Sequence, residues 1–177
     1  MTKIATNIIL GLILLNLVSC TNKISKTDTK IHFDNELGFS IPDSLKIIND
    51  FGEVFTRKEE SELENLISTV VSNSSKKIII VTTSDIKPYT DIHKYATDLG
   101  NDWGIASPKD FNGLTIVLCK PCRKIGIATA VGTENKIKNE FCKNVINQIM
   151  IPEFKNGNYH KGMKEGLLSL ILKWEEK

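Results

Sequence analysis

Three carboxylates and four cysteines are the residues of this chain whose types and placement could do chemistry. Asp50, Asp110 and Glu134 each stand in a short polar stretch beside an apolar run. Carboxylates held close together repel, and a hard cation such as Ca²⁺ or Mg²⁺ relieves that repulsion through oxygen ligation. Asn112 or backbone carbonyls could complete such a shell. The competing reading is structural. Asp and Asn cap helices and shape turns, and Asp110-Phe111-Asn112-Gly113 is good turn chemistry by itself. No spacing in the chain matches an EF-hand loop.

Cys119-Lys120-Pro121-Cys122 is a C-x-x-C pair, and Cys142 stands alone. A thioredoxin-like pair opens a helix, whose dipole lowers the thiol pKa. This pair lies between two apolar runs that both read as strands, so it falls on a hairpin turn without that dipole. Three readings stay open: a structural disulfide or inert thiols, redox chemistry, and a zinc site shared with Cys142 or a His. No second C-x-x-C and no paired His supports the zinc site. His93 and His160 read as surface or capping residues, and Trp103 and Trp174 as core or interface residues. No nucleophile elbow, Walker-type loop or dinucleotide fingerprint occurs.

Cys20 has a different context. It ends Leu17-Val18-Ser19-Cys20, after an apolar run that starts at Ile4 and is interrupted by Asn7 and Asn16. A secretory apolar region needs roughly 7–15 residues and a spanning helix roughly 20. The stretch therefore reads as a signal, and its end resembles the bacterial lipobox, in which the Cys is acylated and becomes the mature N-terminus. The expected location is the cell envelope, on the extracytoplasmic side, with the lipid bilayer as partner through acylated Cys20.

Removal of residues 1–19 from the 177 leaves 158, enough for one domain with a proper core. Only Lys3 is lost among the charged residues, so 22 basic residues face 21 acidic ones in the mature chain. That balance argues against a nucleic-acid binder, which would carry a basic stripe. Lys76-Lys77 and the cluster from Lys120 to Lys124 flank apolar runs and read as solvated turn or strand-end residues.

The positioning elements follow from periodicity. The expected division is a signal peptide over 1–19, a lipidated Cys and tether over 20–45, and an α/β domain over 46–177. Residues 21–31 are polar, and the segment from His32 to Pro42 leads into the domain. Ile47-Ile48-Asn49-Asp50 reads as a first strand ended by a turn. Thr56 and Glu59 fit a capping box before a helix with Leu63, Leu66, Ile67, Val70 and Val71 on one face. The run from Ile78 to Thr83 is continuous and β-branched, as in a strand buried on both faces. Thr90 or Asp91 caps a second helix. Leu114 to Cys119 and Ile125 to Val131 form an antiparallel hairpin. Thr133 caps a third helix that Pro152 stops, and a last helix runs from Tyr159. The order β-α-β-α-β-β-α-α predicts a three-layer α/β/α sandwich with a mixed sheet of about four strands. The hairpin brings Asp110 and Asn112 near Glu134. Asp50 and Thr83-Ser84 share one sheet edge, where ligands of open α/β sheets collect. Whether that edge also holds Asp110 depends on strand order.

Together these segments resemble the TPM domain family, over about Ile47 to Leu172. The resemblance rests on Ile48-Asn49-Asp50 with Phe55-Thr56, on Tyr95-Ala96 with Trp103-Gly104-Ile105, and on Asp110-Phe111-Asn112-Gly113. Ile151-Pro152-Glu153-Phe154, Gly157-Asn158-Tyr159, Gly162 and Gly166 complete it. It implies an α/β/α sandwich, divalent-cation binding in some members and phosphatase activity in some plant relatives. Asp50, Asp110 and Glu134 are the positions it carries over for a Ca²⁺ or Mg²⁺ site. Ala106, Ala130 and Asn139 depart from the family pattern around those loops. The expected function is an envelope lipoprotein that binds a divalent cation and acts as an accessory or assembly factor for membrane proteins. The alternative is a metal-assisted acid phosphatase with Asp50 as nucleophile or base.

Overall fold

The computed structural model describes residues 33–34, 38–39, 42, 45–72, 74–106 and 112–176. Cys20, the signal read around it, and Asp110 lie outside the described residues. Two short strands, β1 (Phe33–Asp34) and β2 (Gly38–Phe39), pair antiparallel ahead of the domain. Phe39 is buried against Tyr89 and Tyr95, and its N–H donates to Asp102 Oδ2 at 2.9 Å. Phe39 therefore packs on the domain.

Four strands form the main sheet: β3 (Ile48–Asp50), β4 (Lys77–Thr83), β5 (Gly113–Cys119) and β6 (Lys124–Thr129). Their order is β3-β4-β5-β6. The β3–β4 and β4–β5 pairs are parallel, and β5–β6 is the antiparallel hairpin. The residues of β4 and β5 alternate between two cores. Ile78, Ile80, Leu114, Ile116 and Leu118 face one side, while Ile79, Val81, Val117 and Cys119 face the other. Burial of both faces explains the unbroken apolar runs.

On the first side lie α1 (Arg57–Val71), the composite helix described below, and α6 (Tyr159–Glu175). On the second lies α2 (Ile92–Asp102), with Tyr95, Ala96 and Leu99 inward. The expected three-layer α/β/α sandwich with a mixed four-stranded sheet is the observed fold. The capping box of α1 is present, with Glu59 Oε2 2.8 Å from Thr56 N. Asp91, not Thr90, caps α2, accepting from His93 N at 2.8 Å.

The third helix departs from expectation. A single short turn, α3 (Val131–Glu134), begins directly after Ala130, and α4 (Asn139–Val145) starts only past Lys138. Thr133 is thus inside α3 and buried, not a cap. Nor does Pro152 stop the helix. The chain runs from α4 through a π-helical turn (Ile146–Met150) into α5 (Ile151–Lys155). Pro152 has no N–H for the preceding turn. The helix widens just before it, so that Ile151 N–H donates to Ile146 O. Gly166 of α6 packs on that widened turn, where a Cβ would collide with the Met150 side chain. Gly162 does the same beside Phe154. Among the described residues no helix is long and apolar enough to cross a membrane.

Candidate functional site

Asp50 ends β3 in register with Thr82 of β4. Beyond it the chain turns at Phe51-Gly52, with Glu53 in the left-handed region at φ 48°. The Asp50 carboxylate organises that turn. Its Oδ1 accepts from Val54 N at 3.0 Å and from the Thr82 hydroxyl, and its Oδ2 accepts from Phe55 N at 2.9 Å. The Thr82 hydroxyl in turn accepts from Gly52 N at 2.8 Å. Gly52 is needed here, because a Cβ would stand 3.1 Å from Thr82 Oγ1 and Thr83 N. A carboxylate holding two backbone N–H groups and a hydroxyl is a loop clamp. Next to it, burial and then the Asp50 charge hold Glu60 above its usual carboxylate range.

Glu134 stands at the other end of the sheet. The β4–β5 pairing is parallel from Lys77↔Gly113 to Thr83↔Cys119, so Gly113 and Asp50 mark opposite edges. Ala130 N donates to Gly113 O at 2.8 Å, and Glu134 N donates to Ala130 O at 3.0 Å, which fixes α3 at the Gly113 edge. From Leu118, level with Asp50, back to Gly113 the strand rises about 17 Å. Asp50 and Glu134 are therefore not brought together and do not fit one ion as a pair. The third expected ligand, Asp110, is outside the described residues. Asn112 bonds Ser75 Oγ through its Nδ2 at 3.1 Å. Among the described residues no group of three or more His, Cys, Asp or Glu is placed to hold a metal ion.

The Glu134 edge nevertheless contains a pocket of about 280 Å³, lined in part by Glu134, Asn101, Thr97 and Thr129. The Thr129 hydroxyl is buried there without a hydrogen-bond partner among the described residues, as is the Thr133 hydroxyl in α3. Oxygen donors of this kind suit a hard cation better than a soft one.

The cysteine geometry fits the disulfide reading and not a shared zinc site. Cys119 and Cys122 form a disulfide across the β5–β6 turn, with Cα atoms 5.2 Å apart. Cys142 is free and buried in the core on the opposite face of the sheet from Cys119, so it is no third ligand for that pair. Burial pushes its thiol up to about 11. His93 Nδ1 lies 2.8 Å from Ile127 O and ties α2 to β6. His160 sits between Glu59 and Glu62, 3.5 Å from Glu62 Oε2.

Sequence reasoning missed one feature. Lys120 and Arg123 of the hairpin turn meet Lys155 and Tyr159 across a groove. Some thirty residues separate the two segments, and no local spacing links them.

A four-stranded mixed sheet between two helical layers, with an aspartate clamp at one edge and a glutamate pocket at the other, defines an α/β/α sandwich domain. The chain belongs to the TPM domain family, whose model matches residues 48–172. It is similar to the N-terminal domain of a protein from P. gingivalis, solved by solution NMR. Identity is 25% over 74% of this chain and 83% of that one, with a TM-score of 0.67. It is also similar to the NMR structure of the BA42 protein from the psychrophilic bacterium Bizionia argentinensis. There identity is 20% over 69% of this chain and 82% of that one, with a TM-score of 0.59, a likeness of fold alone. No curated protein matches the chain.

Proposed function

We propose that this chain is an envelope lipoprotein, a TPM domain held at a bilayer by acylated Cys20, that serves as an accessory or assembly factor for membrane proteins. The observation that carries this reading is the order of segments. Leu17-Val18-Ser19-Cys20 is followed by a polar stretch and then by a family match that starts at residue 48. Two or more acyl chains on one residue anchor a domain stably, whereas a single chain does so only marginally. A tethered domain meets its membrane neighbours at high effective concentration, so weak contacts suffice.

The clamp at Asp50 favours the accessory role over the phosphatase alternative. Three of the roughly four acceptor sites of the Asp50 carboxylate take hydrogen bonds that hold the loop into α1, so the side chain is engaged chiefly in positioning that loop. The divalent-cation part of the reading narrows to the Glu134 edge, where Glu134 and the Thr129 hydroxyl line one pocket.

Membrane fractionation of Cys20→Ser tests the anchor. The variant moves from the membrane to the soluble fraction, and a variant that stays with the membrane overturns the lipoprotein reading. Titration with Ca²⁺ followed by amide NMR tests the cation. Glu134 and its neighbours shift while Asp50 does not, and Glu134→Gln abolishes the response. Shifts centred on Asp50 would restore the phosphatase alternative.

A further inference from the structure

The groove between the hairpin turn and α5 has a composition that none of the foregoing uses. Its volume is about 630 Å³, within the size range of small-molecule sites. Its floor is apolar and aromatic: Ile125, Ile151, and the stacked rings of Phe154 and Tyr159, whose centroids are 5.2 Å apart. Its rim is basic: Lys120, Arg123 and Lys155 all line it, and no carboxylate does.

Two of the rim cations, Lys120 and Arg123, share one braced turn, and among the described residues none of the three has a carboxylate partner. Arg123 N donates to Lys120 O at 3.1 Å, closing a tight turn in which Arg123 takes φ 52°. The Cys119–Cys122 disulfide braces the same turn, and Lys124 Nζ ties it to Thr90 O at 2.7 Å. Lys120 Nζ lies 4.7 Å from the centre of the Tyr159 ring, which carries the charge over the floor. Among the described residues none of Lys120, Arg123 and Lys155 makes an ion pair. In a domain whose overall charge nearly cancels, three cations that line one groove without a carboxylate partner focus a positive field on one concave surface. An anion placed there relieves their mutual repulsion, and an apolar body beside it covers the floor.

We propose that this groove binds a small organic anion. Its charged head sits among Lys120, Arg123 and Lys155, and its apolar body lies on Phe154, Tyr159, Ile125 and Ile151. The site is separate from the Glu134 pocket, which lies at the other edge of the sheet. It does not depend on the anchor or on a cation.

Amide NMR titrations of the full chain with benzenesulfonate, inorganic sulfate and benzyl alcohol separate head from body. Benzenesulfonate shifts the amides of Lys120, Arg123, Lys155 and Tyr159, and it binds at least about tenfold more tightly than either half-ligand. Adding Lys120→Gln together with Arg123→Asn weakens benzenesulfonate about tenfold. Both sites are exposed, and Asn accepts a positive φ, so the fold is kept. Unperturbed affinity in that double variant overturns the proposal. So does sulfate binding as tightly as benzenesulfonate, which leaves the floor without a role, or benzyl alcohol binding as tightly, which leaves the rim without one.

Discussion

Asp50 and Thr82 close the ends of two parallel strands through one hydroxyl. Thr82 Oγ1 accepts from Gly52 N at 2.8 Å and donates to Asp50 Oδ1, while the Asp50 carboxylate holds Val54 and Phe55 N–H. The turn after β3 is thereby fastened to β4, and α1 starts from a fixed point.

That clamp predicts a stability effect. Hydrogen bonds to a charged group contribute more than neutral ones, so Asp50→Ala should cost about 2–3 kcal/mol in chemical denaturation. Thr82→Val removes the hydroxyl at nearly constant volume and should cost about 1–2 kcal/mol. Because the two side chains share one bond, the double variant should be less destabilised than the sum of the singles by at least about 0.5 kcal/mol. Strict additivity would show that the hydroxyl and carboxylate act independently.

A second prediction concerns the seam between α6 and the widened helix. A Cβ at Gly166 would collide with the Met150 side chain, which is fully buried. Gly166→Ala gains helix propensity of about 1 kcal/mol, yet overpacking costs typically 1–3 kcal/mol, so about neutral to 2 kcal/mol destabilising is expected. Met150→Ala is itself destabilising. Combined with Gly166→Ala it should regain part of that loss, because the new methyl occupies space that Met150 vacated. Thermal melts of the four proteins read the coupling directly.

How far the fold and site were legible depends on whether their determinants are local. The run from Ile78 to Thr83 declares a doubly buried strand because every residue meets apolar neighbours on one face or the other. Thr56 and Glu59 declare their capping box because both hydrogen bonds span three residues. Strand order is not written locally, since it depends on which strand β5 joins. Parallel pairing with β4 carried Asp50 and Glu134 to opposite edges. Thr133 has a capping residue's chemistry, but the cap position falls at Ala130, three residues too early for it. Pro152 is a helix breaker by its own chemistry, and the helix continues around it through the π-helical turn over Ile146–Met150, which no local spacing announces. The basic groove was hidden for a similar reason. Lys120 and Arg123 read as solvated turn residues until α5 and Tyr159 are set against them.

Glu60 carries a pH prediction. Burial, and then repulsion from Asp50, raise its pKa in the folded state. A raised folded pKa means that the native state holds the proton more tightly than the unfolded chain does. The favourable contribution is therefore complete below the unfolded value of 4.5 and is lost as pH rises through the folded pKa. At neutral pH the ionised Glu60 is a net cost. Glu60→Gln should accordingly be more stable than the parent at pH 7, and the advantage should vanish below about pH 4. Denaturation midpoints measured across that window decide the matter. An advantage that persists in acid would assign the effect to packing.

The last prediction joins the two ends of the cysteine chemistry in one measurement. The chain has four cysteines. Cys119 and Cys122 are paired, and Cys142 is free but buried, with its thiol raised to about 11. The thiolate is the reacting species, so Cys142 in the folded protein should resist alkylation at pH 8. Acylated Cys20 has its sulfur in a thioether and does not count as a thiol. Protein purified from the membrane fraction and unfolded without reductant should therefore yield one alkylated cysteine, and after reduction three. An unacylated full chain would instead yield two and four. The difference between the two readings measures the disulfide, and the absolute count measures the anchor. A result of three in both conditions would leave Cys20 acylated but the hairpin turn unbraced. That turn carries Lys120 and Arg123 into the groove, so the same sample should then bind benzenesulfonate more weakly.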